Sequence, residues 1–374
     1  MSTTTAEAEP TATEHGNLRD SSSALKLGVF SFNVSGGLNP STRPRRYHVG
    51  WEHTSAIARR AEDMGFEFVL PVAKWRGYGG ETDFYGESYE TLTWAAGIAA
   101  QTSRITVGAT VHTPVIHPTF VAKAGATVDA ISDGRLALNV VMGWYPLEIG
   151  QFGLTPADHD IRYEHGDEWV TLLKRLWQED EPFDFDGRWS SAWSALSKPK
   201  PIRRPLLMNA GTSPAGVDFT ARQCDVTLAS RNALEGADAF VAGIKSTARE
   251  KYARDLQVIN VAHVICADTE AEAWRKRDLL LESGDQVATD NFMRSLGIGS
   301  QSFEETLKLY REYFYTSGAA LPLIGTPEQI AEQMVAASTA GFDGLALGFF
   351  DFLDEMAAFD EQVMPLLREA GIHS

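Results

Sequence analysis

The stretch LALNVVMGWYPLEIGQFG (136–153) places an amide, Asn139, inside a run of Leu, Val and Ala, then breaks at Gly143 into Trp144, Tyr145 and Glu148. A polar side chain on a buried strand is costly unless protein or ligand answers it. Other apolar runs end in similar residues: Asn33 with VSGG, AKWRGYGG (73–80), His112 with Thr113 and His117, and NAGTS (209–213). In the last, Gly211 permits a tight turn. Thr212 and Ser213 bring hydroxyls and backbone N–H groups to the start of a helix, an arrangement suited to phosphate. Arg162 and Tyr163, opening the preceding helix, would add a charge-assisted bond. A capping serine and a surface arginine explain the same residues without any anion, and both readings stand.

Other chemistries lack their signatures. No G-x-G-x-x-G follows a strand, and there is no P-loop, H-E-x-x-H or G-x-S-x-G. His112 and His117 lie five apart across a proline-containing loop, a poor metal pair, and we expect no metal. Cys224 and Cys266 sit in different elements and read as two buried free thiols. With 33 basic and 50 acidic residues the formal charge is −17, which opposes nucleic acid and anionic membrane as partners. No apolar run reaches the roughly 18 residues that span a bilayer. Residues 1–24 are polar and acidic, without a secretory pattern; they read as a disordered tail on a cytoplasmic protein.

The elements that must position these residues alternate apolar runs with amphipathic helices. Strands are expected at 25–32, 66–72, 104–111, 134–143, 205–211, 225–230, 257–267 and 342–349, each followed by a helical stretch. Eight such units with almost no hairpin signals predict a single (β/α)8 TIM barrel over 25–374, rather than an open sheet. Connections 71–87, 179–204 and 268–325 are too long for simple loops, so insertions are expected after strands 2, 4 and 7. The last is either a lid, with 283–320 the candidate, or an oligomer contact. In this fold the strand ends carry the site, and here they carry Asn, Gly and aromatics rather than several acids. That is the lining of a pocket for a flat, amide-rich ring.

The segments FNVSGG, KWRGYGGETDFY, ATVDAISDGRLALNVVMGW, AGTSPAGVDFTAR and LIGTPEQIAEQM make the chain resemble the bacterial-luciferase-like flavin monooxygenases over residues 25–370. KWRGYGG and the AGxSxAG pattern are similar to the pyrimidine-ring-opening branch. FNVSGG is closer to the dimethyl sulfone branch. The resemblance implies reduced FMN as co-substrate, O2 as oxidant, a flavin peroxide as the reactive species and a separate NAD(P)H:flavin reductase as partner. It implies a homodimer or homotetramer. It implies FMN contacts at Ala73, Lys74, Asn139, Glu148, Arg162, Tyr163 and Ser213, with Gly211 and Thr212 shaping the phosphate turn. Asn139 would face the flavin ring edge.

Catalytic candidates are Asn139, Lys74, His112 and Glu148. Lys74 would stabilise an oxyanion or form a structural ion pair. Met142 stands where such relatives carry Ser or Thr, and is expected to narrow the pocket. The reaction expected first is cleavage of a C–N bond in an N-heterocycle. A dimethyl sulfone or alkanesulfonate-type C–S oxidation, a deazaflavin-dependent dehydrogenase and a non-catalytic flavin-binding protein are the alternatives.

Overall fold

A computed structural model describes residues 16–44, 46–298 and 304–374. Among the described residues eleven strands appear: β1 (Lys26–Phe30), β2 (Phe68–Leu70), β3 (Thr106–His112), β4 (Leu136–Val141), β5 (Phe183–Asp186), β6 (Ser191–Ala195), β7 (Leu206–Asn209), β8 (Val226–Ala229), β9 (Gln257–Cys266), β10 (Leu321–Gly325) and β11 (Gly344–Gly348). Eight of them, β1, β2, β3, β4, β7, β8, β9 and β11, pair in parallel, and β8 pairs with β9 to close the ring. The expected TIM barrel is therefore present, with helices between successive barrel strands.

Strand alternation separates two cores. Leu136, Leu138 and Val140 of β4 join the layer under the helices with Trp169, Leu172 and Phe219. Ala137 faces the lumen with Phe68, Leu70, Met208, Leu228, Ile259, Val261 and Ala346. Two glycines make room for large lumen side chains. A Cβ on Gly28 would sit 2.4 Å from the Phe68 ring, and one on Gly108 would sit 2.6 Å from Leu70 Cδ1. Phe and Leu thus fill space that two side chains would contest.

Three features depart from the expectations. Residues 16–24, placed in a disordered tail, pack across the N-terminal mouth of the barrel: Leu18 is fully buried in the lumen cluster, and its N–H donates to Thr106 Oγ1 at 3.0 Å. One leucine near the end of a polar stretch gave too little periodicity to reveal this. Residues 1–15 lie outside the described residues. Second, connection 179–204 holds an antiparallel hairpin, β5–β6, whose turn is fastened by the Glu168 carboxylate accepting from the N–H groups of Arg188, Trp189 and Ser190.

Third, the 268–325 insertion ends in β10, which extends the sheet: β9 pairs with β8 through its first half (257–260) and with β10 through its second (262–266). Before β10 come helices Glu270–Glu282, Gln286–Ser295 and Glu304–Ser317. The expected lid, 283–320, falls on the last two, and its 299–303 segment lies outside the described residues. No helix among the described residues is long and apolar enough to cross a membrane.

Candidate active site

The barrel lumen turns polar at its C-terminal mouth. On β3 and β4 the lumen-facing positions are Thr110, His112 and Asn139, with Thr110 opposite Asn139 in register. Asn139 Nδ2 donates to Thr110 Oγ1 at 3.2 Å, and Thr110 Oγ1 donates to Pro71 O at 2.7 Å. The threonine proton is committed to Pro71, so Thr110 accepts from Asn139, and this fixes the amide with its nitrogen toward Thr110. Asn139 Oδ1 is left buried without a protein partner. An acceptor held in this way is open to a hydrogen-bond donor from outside the chain.

Gly143 adopts φ 65°, a left-handed turn that swings the chain after β4 over the barrel. A Cβ there would meet Ile149 and Pro114 at 2.8 Å. The turn carries Trp144 and Tyr145 to the mouth and brings Glu148 against the loop after β2. Glu148 Oε2 lies 3.2 Å from Lys74 Nζ, with both side chains 3% exposed, and Glu148 Oε1 accepts from Trp75 N at 2.7 Å. Lys74 Nζ also lies over three rings, at 4.5 Å from Tyr78, 4.5 Å from Tyr145 and 5.3 Å from Trp144. Burial pushes the Lys74 ammonium down to about 8, with Glu148 pulling the other way. Of the two readings of Lys74, the geometry supports the ion pair. An ammonium enclosed by a carboxylate and three aromatic faces is not free to meet a developing oxyanion, and Glu148 is likewise committed.

His112 is buried, and burial lowers its imidazole to about 4, so the ring is neutral near pH 7; its Nδ1 has no partner. Ala73 is half-buried and lines a small recess with Lys74, Trp75, Thr110 and His112. His117 stands apart: it is exposed, and its Nδ1 caps helix Pro118–Ser132 by accepting from Thr119 N at 3.2 Å. Asn33 is committed to shaping the mouth, bonding Val72 in both directions at 2.8 Å. Met142 corrects its expectation. Its sulfur packs against Gly166, 2.4 Å from where a Cβ would stand, so it fills the helix layer and does not narrow the pocket. Cys224 is buried as expected, whereas Cys266 is partly exposed.

The neighbouring sector, after β7, gathers the second set. Ser213 caps helix Pro214–Gln223, accepting from Gly216 N at 3.2 Å. Gly211 and Gly216 are both needed for close approach: a Cβ would stand 2.2 Å and 2.7 Å, respectively, from the Tyr163 hydroxyl. Asn209 shapes this turn, its Oδ1 accepting from Gly211 N at 2.7 Å and its Nδ2 donating to Val140 O at 2.6 Å. Thr212 is exposed on the turn. The facing helix is His159–Gln178, which starts three residues before the expected Arg162; Arg162 lies in its opening turn, and its Nε is buried without a partner. The sequence reading missed His159, whose Nε2 lies 3.1 Å from Ser213 Oγ. Helical spacing was the available signal, since His159 is one turn before Tyr163.

Also missed was an aromatic cluster over the mouth. Phe292, from helix Gln286–Ser295, stacks on Tyr78 at 4.3 Å between ring centres and lies nearly parallel to Trp144 at 6.3 Å. Asp285 joins the two insertions, accepting from Thr82 N at 2.7 Å and Thr82 Oγ1 at 2.8 Å while capping the same helix. Beside this cluster opens a cavity of about 650 Å³, walled by Trp75, Arg76, Tyr78, Tyr145, Leu147 and Arg294 among others. It is much larger than the recess over Thr110 and His112, with which it shares Trp75.

The sequence pattern described as luciferase-like monooxygenase matches residues 25–344. The chain is 33% identical to the pyrimidine monooxygenase RutA of Acinetobacter baylyi over 92% of its own length and 95% of that protein's. It is also 33% identical to the FMNH2-dependent dimethylsulfone monooxygenase of Pseudomonas fluorescens, covering 93% and 96%. The riboflavin lyase RcaE, solved with modified FMN and riboflavin, superimposes with a TM-score of 0.83 at 21% identity, over 94% of this chain and 92% of that one.

Proposed function

Because the chain belongs to the luciferase-like monooxygenase family and is a flavin-dependent monooxygenase, we propose that it is the oxygenase half of a two-component system. It takes reduced FMN from a separate NAD(P)H:flavin reductase and uses O2. It cleaves a carbon–heteroatom bond in a small organic molecule, the C–N bond of an N-heterocycle being the first choice. The observation that carries this reading is the fixed, unanswered acceptor Asn139 Oδ1 at the barrel mouth.

The residues present fit FMN. Asn139 offers an acceptor to a ring N–H. Arg162 Nε, also unanswered, stands with Tyr163, Ser213 and the Gly211–Thr212 turn where a phosphate would gain a cation, hydroxyls and a helix N-terminus. Reduced FMN, when bound, supplies the electrons that activate O2. The chain's own residues do the rest. The Thr110–Pro71 relay keeps Asn139 from rotating. Neutral His112 offers hydrogen bonding without introducing a charge. The Lys74–Glu148 pair holds the loop at Trp75 in place while adding no net charge beside the ring. Helix Gln286–Ser295 and its Phe292 roof the mouth and limit water, a lid role that an insertion docked on the site supports.

A C–S bond of the dimethyl sulfone kind is the second reading, favoured by equal identity to that relative. The test is anaerobic titration of the apoprotein with reduced FMN and with a reduced deazaflavin, followed by an O2 pulse in stopped flow. Saturable FMN binding with an oxygen-dependent transient is expected. Binding of the deazaflavin alone would transfer the chain to the dehydrogenases. Asn139→Ala should lower turnover by far more than it lowers the unfolding midpoint; intact turnover would end the ring-edge role.

A further inference from the structure

We propose that the substrate of this enzyme is an anion: a planar ring bearing a carboxylate or sulfonate, seated in the 650 Å³ cavity with its acidic group between Arg76 and Arg294. This deepens the oxygenase reading and rests on it. The cavity walls are of two kinds. Trp75, Tyr78, Tyr145, Pro146 and Leu147 give flat apolar surfaces that suit a ring. Arg76 and Arg294 give two guanidinium groups.

Both arginines are exposed at the cavity wall. The chain carries seventeen more acids than bases, and several of its arginines are paired with one: Arg203 with Asp20, Arg204 and Arg254 with Asp225, Arg311 with Asp290. Among the described residues neither Arg76 nor Arg294 forms a salt bridge. Arg294 donates only to its helix neighbour Asn291 Oδ1, at 2.7 Å. One acid, Asp83, shares the wall, so the lining carries two positive charges against one negative. The nearby Lys74–Glu148 pair adds none. Guanidinium forks match carboxylate and sulfonate oxygens in a way that a neutral ring cannot reward. The two arginines come from different segments, the loop after β2 and the helix Gln286–Ser295, and so the acidic group would bridge barrel and insertion. Trp75 lines both this cavity and the recess over Thr110 and His112, so a ring stacked on it would lie next to that recess.

The experiment compares ring pairs that differ in one acidic group: uracil with uracil-6-carboxylate, pyridine with pyridine-3-carboxylate, and methyl phenyl sulfone with benzenesulfonate. Binding to the full-length protein is measured by isothermal titration calorimetry at low salt. In a separate cell, reduced FMN binding is titrated. At least one anion should bind ten-fold or more tighter than its neutral mate. Arg76→Ala with Arg294→Ala should erase that preference while leaving reduced FMN affinity within two-fold. If no anion in the series outbinds its neutral mate, or if the preference survives the double substitution, the proposal is overturned while reduced FMN binding still supports the oxygenase. Loss of FMN binding in the wild type would instead strike the oxygenase reading itself, and the proposal with it.

Discussion

Replacing Glu148 by Gln keeps the shape of the side chain and an acceptor for Trp75 N–H, but takes away the carboxylate 3.2 Å from Lys74 Nζ. Removing one partner of a buried pair typically costs about 3–5 kcal/mol. The three rings around Lys74 remain in both proteins and still give the orphaned ammonium a favourable surface. The expected loss at pH 6 is therefore near the lower end, about 3 kcal/mol. Its pH dependence is the sharper part. In the wild type Lys74 titrates at about 8, against an ordinary 10.5. Without Glu148 it must titrate lower still, because the charge that raised it is gone.

Between that lower value and 10.5, the unfolded variant holds a proton that the folded variant lacks, so the variant gains stability as pH rises. The wild type gains only above 8. The gap between them should shrink by about 1.4 kcal/mol per pH unit up to pH 8, then stay level. Urea unfolding of both proteins at pH 6, 7, 8 and 9 measures it. A gap that is constant with pH, or smaller than about 1 kcal/mol at pH 6, would refute the buried ion pair.

Other outcomes follow from the same geometry. Arg162→Ala and Ser213→Ala should each weaken reduced FMN binding by about 1–3 kcal/mol, the range for a lost hydrogen bond to a charged group; unchanged affinity in both would remove the phosphate assignment. His112 titrates near 4 when folded and near 6.5 when unfolded, so the protein should lose up to about 3 kcal/mol as pH falls across that window. Thermal scans of wild type and His112→Gln between pH 7 and 4 check this, the variant showing the smaller decline. Leu18→Ala should cost about 2–5 kcal/mol, as expected for a fully buried leucine, and a tail without structural role would show no change in the unfolding midpoint.

The barrel was readable because its strands are short apolar runs that alternate with amphipathic helical stretches, a pattern that survives without tertiary information. The capped turn into helix Pro214–Gln223 was readable for the same reason, since Gly211, Ser213 and Pro214 act within one local motif. The features missed are those in which local signal and final environment disagree. In FDFDGRWSSAW the alternation belongs to an exposed hairpin outside the barrel. LPLIG contains a proline and lies in an insertion, yet becomes β10. The Lys74 cage joins residues 74, 78, 144, 145 and 148 with Phe292 above it. Nothing in the spacing of such distant residues encodes their meeting. Met142 was misplaced because a strand end gives no sign of which face its last side chain takes once Gly143 turns the chain.

The divided edge of β9 sets where this protein can be cut and recombined. Residues 257–260 are laced to β8, and 262–266 to β10, with His263 opposite both Pro322 and Gly348. A chimera that exchanges the insertion at the apparent loop boundary, 268–325, would transplant one rail of a two-rail ladder and leave the other behind. Exchange from 262 to 325 carries both rails as a matched unit. Diversity in the roof of this barrel is thus tied to the upper half of a scaffold strand, and a library built on the insertion should let residues 262–266 vary with it.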